Sequence, residues 1–165
     1  MGLFSSLVQV VADSAQGIRY VGEEKDEKLE DFSLHYRQLL KKIDDVDHAI
    51  AIIELFVRTA IGAAKSDGVF SKIEAAEITS FIEGSFGGEL SSQECFELLK
   101  DINREQMDLV TLCEASIGAS NRYGSIVIET LRAFLECIIY SDGQVHPKEV
   151  DFLNRWEKTI SVLQK

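Results

Sequence analysis

Two stretches of this chain set acidic side chains around a glycine in the same order. Ser66-Asp67-Gly68-Val69-Phe70-Ser71-Lys72-Ile73-Glu74 recurs as Ser141-Asp142-Gly143-Gln144-Val145-His146-Pro147-Lys148-Glu149, 75 residues further on (142 − 67). Carboxylates, with backbone carbonyls exposed by a glycine turn, are the oxygen donors that hard divalent cations take. The chemistry on offer is cation binding, by Asp67 with Glu74 and by Asp142 with Glu149. Each aspartate follows an apolar run that reads as a helix. It therefore sits near a helix C-terminus, where the macrodipole disfavours negative charge by ~0.3–1 kcal/mol. An acid placed there twice calls for a positive neighbour, either a basic side chain or a bound ion such as Ca²⁺, Mg²⁺ or Zn²⁺.

The same shift superimposes Glu54 on Glu129. Glu54 lies 13 residues before Asp67, roughly 20 Å along a helix at ~1.5 Å per residue, so it cannot reach its own corner. If the two central helices pack antiparallel, Glu54 faces Asp142 and Glu149, and Glu129 faces Asp67 and Glu74. That arrangement gives two acidic sites at opposite ends of the central pair. Both glutamates have rival partners at helical spacing, Arg58 for Glu54 and Arg132 for Glu129.

A structural reading accounts for most of the same residues. Asp67-Gly68 makes a turn that ends a helix, and Phe70 or Val145 tucks back as a hydrophobic staple. Ser71 with Glu74 forms a capping box, and His146, Pro147 and Glu149 repeat it less completely. The dense acidic ladder of an EF-hand is missing.

The elements that must position these corners are helices throughout. Residues 3–20 carry apolar side chains at Phe4, Val8, Val11, Ala15 and Ile18, a helical stripe. A charged run over 22–28 then reads as a linker or as the polar first turn of the next helix. From Leu29 the 3.6-residue period predicts seven core helices. They cover about 29–43, 49–64, 71–86, 92–103, 105–119, 125–140 and 147–163, with the single proline, Pro147, at a first helical position. The fold class is all-α: a multihelical bundle built by internal duplication with a pseudo-two-fold, plus an N-terminal helix. Residues 1–28 form the appendage and 29–165 the domain, with repeats centred on 49–86 and 125–163.

At 165 residues, 45% hydrophobic and 27% charged, the chain suits one domain with a full core. Its net charge of −11 repels phosphate backbones, which argues against nucleic acid and for cations or a basic partner. Cys95, Cys113 and Cys137 are scattered, without zinc-ligand or disulfide spacing, and read as reduced apolar side chains of a cytoplasmic protein. No secretory signal or membrane span is expected, because Glu54 with Arg58 and Glu129 with Arg132 interrupt the apolar runs. Met1-Gly2-Leu3-Phe4-Ser5-Ser6 matches a myristoylation pattern, short enough to carry little on its own.

Catalysis finds little support. His35, His48 and His146 are the three histidines, and His146 is matched by Ser71 in the other copy. No Gly-rich phosphate loop occurs, since Gly84, Gly87 and Gly88 close a helix. The main expectation is a non-enzymatic binding or scaffold protein. Its rivals are a metal-assisted hydrolase using the same acidic corners, and a helical adaptor whose corners are structural.

The doubled Asp-Gly-x-hydrophobic-x-x-x-Glu corner, each copy after an apolar helix, resembles the TerB family of tellurite-resistance proteins and the related N-terminal domain of DjlA-type co-chaperones. The resemblance spans roughly residues 30–163. It implies a bacterial, cytoplasmic helical bundle in stress or toxic-oxyanion resistance, with metal-binding positions at Asp67, Glu74, Asp142 and Glu149. It also implies protein partners at the inner face of a membrane. Ser66 and Ser141 depart from the small apolar residue usual before each Asp-Gly.

Overall fold

The computed structural model describes residues 23–66, 68, 71–85, 92–104, 107–140 and 146–165. Among them the chain is helical, without strands: α1 (Glu23–Lys42), α2 (Val46–Ala64), α3 (Lys72–Ser85), α4 (Ser92–Arg104), α5 (Leu109–Tyr123), α6 (Ile126–Ile139) and α7 (Pro147–Leu163). The helix expected over residues 3–20 lies outside the described residues. The charged run from Glu23 belongs to α1, so of its two readings the polar first turn is the observed one.

Each helix follows from its sequence. In α1 the apolar stripe Phe32, Tyr36, Leu39 and Leu40 is buried, while Lys41 and Lys42 complement the negative end of the dipole. Asp45 caps α2, its Oδ1 accepting from the backbone N–H of Asp47 at 2.8 Å and of His48 at 3.4 Å. Helix α5 starts at Leu109, later than the expected Glu105. There Asp108 captures the N–H of Thr111 at 2.7 Å and fixes the first turn. Gly124, at φ +97°, ends α5 with a backbone conformation that L side chains rarely adopt.

The core is an aromatic knot drawn from four helices. Phe134 of α6 lies 4.5 Å from Phe81 of α3 and 5.1 Å from Phe32 of α1, centroid to centroid. Tyr36 of α1 and Phe56 of α2 complete the group. Such pairs add ~0.5–1.5 kcal/mol each beyond burial alone. The Tyr36 hydroxyl shares a 3.3 Å hydrogen bond with Ser85 Oγ, and burial holds its ionisation well above the usual range. Helix α1 is fastened to α6 by the ion pair of Lys28 with Glu136 at 2.7 Å and by the Cys137 thiol donating to Lys28 O at 3.2 Å. No described helix is long and apolar enough to cross a membrane.

Candidate acidic corners

Helix α3 opens with the capping box that its sequence predicts. The N–H of Ser71 donates to Glu74 Oε1 at 3.2 Å, and the N–H of Glu74 donates to Ser71 Oγ at 3.1 Å. What the sequence does not show is depth. Glu74 is only 2% exposed, and its second oxygen, Oε2, is buried without a hydrogen-bond partner among the described residues. A carboxylate oxygen withdrawn from water is costly unless something positive or a donor meets it.

Glu149 occupies the matching place in α7 and is 1% exposed. The imidazole of His146 lies near it, with Nε2 at 4.0 Å from Oε1. His146 is the N-cap residue of α7, yet its side chain makes no capping bond, so the second capping box does not close through the imidazole. Pro147 follows at the first helical position and removes one N–H that would need a cap. Asp67 and Asp142, the aspartates of both corners, lie outside the described residues. Among the described residues no group of three His, Cys, Asp or Glu side chains is arranged to hold a metal ion.

The expectation of two sites at opposite ends rests on Asp67 and Asp142, which lie outside the described residues. Ser66, immediately before Asp67, lines one cleft of about 410 Å³ with Lys148, Asp151, Asn154 and Arg155 of α7. Ser66, which opens the first phrase, and Lys148, near the end of the second, thus line the same cleft. The cause is the packing of α2. Its C-terminal half lies on α7, where Gly62 permits close approach: a methyl there would sit 3.1 Å from Cζ of Phe152. Glu54 lies 12 residues before Ser66, roughly 18 Å back along α2 at ~1.5 Å per residue. It is half-buried. Glu129 is exposed on the first turn of α6, and its expected partner Arg132 instead pairs with Glu157 of α7 at 3.0 Å.

A second junction answers the one between Gly62 and Phe152. Shifting both residues by the repeat gives Cys137 and Glu77 (62 + 75 and 152 − 75). The structure puts the Glu77 carboxyl within electrostatic reach of the Cys137 thiol, linking α3 to α6. Burial is the main cause that pushes the Cys137 thiol up, with Glu77, Glu136 and Asp31 adding to it and Lys28 opposing. Burial also pushes Glu77 itself up to about 7, and its Oε1 has no hydrogen-bond partner among the described residues.

The residues that sequence reasoning missed are Glu77 and the α7 set lining the cleft. A signal existed for the depth of Glu74 and Glu149. Glu74 shares a stripe with Ile78, Phe81 and Ser85, and Glu149 with Phe152, Trp156 and Ile160, all of them buried. No protein-family model matches the chain. Neither the curated proteins nor the solved structures contain a match to it.

Proposed function

We propose that this chain is a non-enzymatic binding or scaffold protein, TerB-like and built by internal duplication, that takes a divalent cation at its acidic corners. The observation that carries this reading is Glu74. Its carboxylate is 2% exposed, fixed by a capping box through one oxygen, and its second oxygen is buried without a hydrogen-bond partner among the described residues. Such an oxygen suits a hard cation, with Asp67 and corner carbonyls completing its shell. Glu149 with Asp142, and with the imidazole of His146, forms the related second position.

The duplication is supported by features related through the same shift of 75. These are the buried pairs Glu74/Glu149 and Phe81/Trp156, the burial of both Leu55 and Thr130, and the paired junctions Gly62–Phe152 and Cys137–Glu77. A hydrolase would need its acids on a water-filled pocket, whereas Glu74 and Glu149 are withdrawn from solvent. The resemblance supplies the setting: a cytoplasmic role in stress or toxic-oxyanion resistance, with protein partners near a membrane and without nucleic acid.

A metal-titrated thermal melt tests the reading. Millimolar Ca²⁺, Mg²⁺ or Zn²⁺ is expected to raise the melting temperature. A ligand at a hundred times its Kd adds about 2.7 kcal/mol, which is several degrees for a domain of this size. The double variant Asp67→Asn/Asp142→Asn is expected to abolish the rise, and Glu74→Gln to reduce it. An unchanged melting temperature with all three ions would overturn the proposal.

A further inference from the structure

We propose that the outer face of α1 is a self-association surface, on which a second copy of this chain packs antiparallel about a two-fold axis through Leu34. The inner face of α1 is committed to the core through Phe32, Tyr36 and Leu39. On the outer side Glu27, Leu34 and Lys41 form one ridge, spaced by seven residues, close to two helical turns. All three are exposed, Leu34 to 56%. An exposed leucine is ordinary by itself. What distinguishes this one is the charge around it.

The signs reverse at Leu34. Before it stand the exposed acids Glu27, Glu30 and Asp31; after it come Arg37, half-exposed, and Lys41. Such segregation is unfavourable within one helix, because the i,i+4 neighbours Glu27/Asp31 and Arg37/Lys41 carry like charges. Helix α7 shows the usual solvated arrangement, in which Lys148, Asp151 and Arg155 alternate in sign at spacings of three and four. The macrodipole accounts for acids in the first turn of α1 and lysines in the last, but its effect fades beyond those turns. Glu30, Asp31 and Arg37 lie deeper than that.

A two-fold axis at Leu34 turns the segregation into complementarity. It sets Leu34 against its own copy and Glu27 against the partner's Lys41, each seven residues from the axis. On one flank Glu30, four residues before the axis, meets the partner's Arg37, three after it. On the other flank Asp31, already 3.3 Å from the imidazole of His35, makes a weaker contact with the partner's Gln38. Every pairing occurs twice, as an isologous interface requires. A parallel pair in register would instead set Glu27 on Glu27 and Lys41 on Lys41. The ridge is roughly 20 Å long and ~10 Å wide, small against the ~800 Å² per partner of a stable assembly. Two copies also repel through a net charge of −11 each. The dimer is therefore weak, with a Kd of roughly 0.1–1 mM.

The test is sedimentation equilibrium of the full chain at physiological ionic strength, without divalent metal so that the outcome is independent of the acidic corners. The Debye length there, ~8 Å, screens the overall charge while contact pairs survive. Wild type is expected to pass from monomer towards dimer as its concentration rises through roughly 0.1–1 mM. Lys41→Glu and Glu27→Lys are each expected to weaken the dimer about tenfold, since the symmetry counts every new repulsion twice. They change the net charge in opposite senses, so diffuse electrostatics would make Glu27→Lys associate more tightly. Both changes in one chain restore the contact with its signs exchanged, and are expected to recover wild-type affinity. Leu34→Gln, which keeps the charges, is expected to weaken the dimer as well. All three positions are exposed, and a thermal melt of each variant confirms folding. A wild type that stays monomeric at millimolar concentration overturns the proposal. So does tighter association of Glu27→Lys, or a double variant no better than Lys41→Glu alone.

Discussion

Two places where helices distant in sequence meet are chemically opposite. Where α7 crosses α2, the ring of Phe152 rests on Gly62, an apolar contact so close that a methyl on the glycine would sit 3.1 Å from the ring. Where α3 meets α6, a carboxyl, Glu77, lies within electrostatic reach of a thiol, Cys137, with Glu136, Asp31 and Lys28 acting on the same thiol. The first junction derives its stability from burial, which does not depend on pH. The second holds a titratable group whose favoured form in the folded chain is neutral. Equivalent positions in one bundle thus carry different sensitivities, and the contrast can be measured.

The largest expected effect tests whether α3 and α7 share one core. Trp156 of α7 is fully buried and Phe81, its counterpart in α3, nearly so. Truncating either to alanine should cost about 3–5 kcal/mol in urea unfolding, the usual loss for a buried large aromatic. A loss from Phe81→Ala much below that from Trp156→Ala would show that the halves are unequal in packing as well as in charge.

The next effect sharpens the contrast itself. Glu77 titrates at about 7 in the folded chain against 4.5 in the unfolded one. The folded state therefore holds the extra proton between those values, and stability falls as pH rises from about 4.5 to about 7. Allowing for its partial exposure, the loss is about 1–2 kcal/mol. Glu77→Gln should melt above wild type at pH 8 and level with it near pH 4.5. Parallel melting curves for the two proteins across that window would break the comparison.

The smallest effect separates the two corners. Ser71→Ala removes a formed capping bond and should cost about 1 kcal/mol. His146→Ala should cost less, because the imidazole makes no capping bond to α7. Equal losses in chemical denaturation would show that the imidazole supports its helix by other means.

Helix positions were legible because the 3.6-residue period is strong and its interruptions are chemical. Asp45, Ser71 and Pro147 each open a helix by a known device. The start of α5 was misplaced because the charged and polar residues before Asp108 look as helical as those after it, and only the aspartate's bond to Thr111 decides. The acidic corners were legible as repeated spacing, but their placement was not. Antiparallel packing of the central helices was an assumption, and a glycine inside an apolar run does not announce which helix it lets approach. Nor could Glu77 be distinguished from a surface glutamate, since burial by α1 and α6 is a long-range property.

The Gly62–Phe152 approach and the electrostatic pairing of Glu77 with Cys137 both join the helices up to α4 to those from α5 onward. Dividing the chain after α4 would give fragments that each present a bare face shaped for the other. Amide exchange in α3 and in α7 is therefore tied to the same global opening, and a nick between the halves would leave a two-piece complex that stays associated until the whole fold lets go.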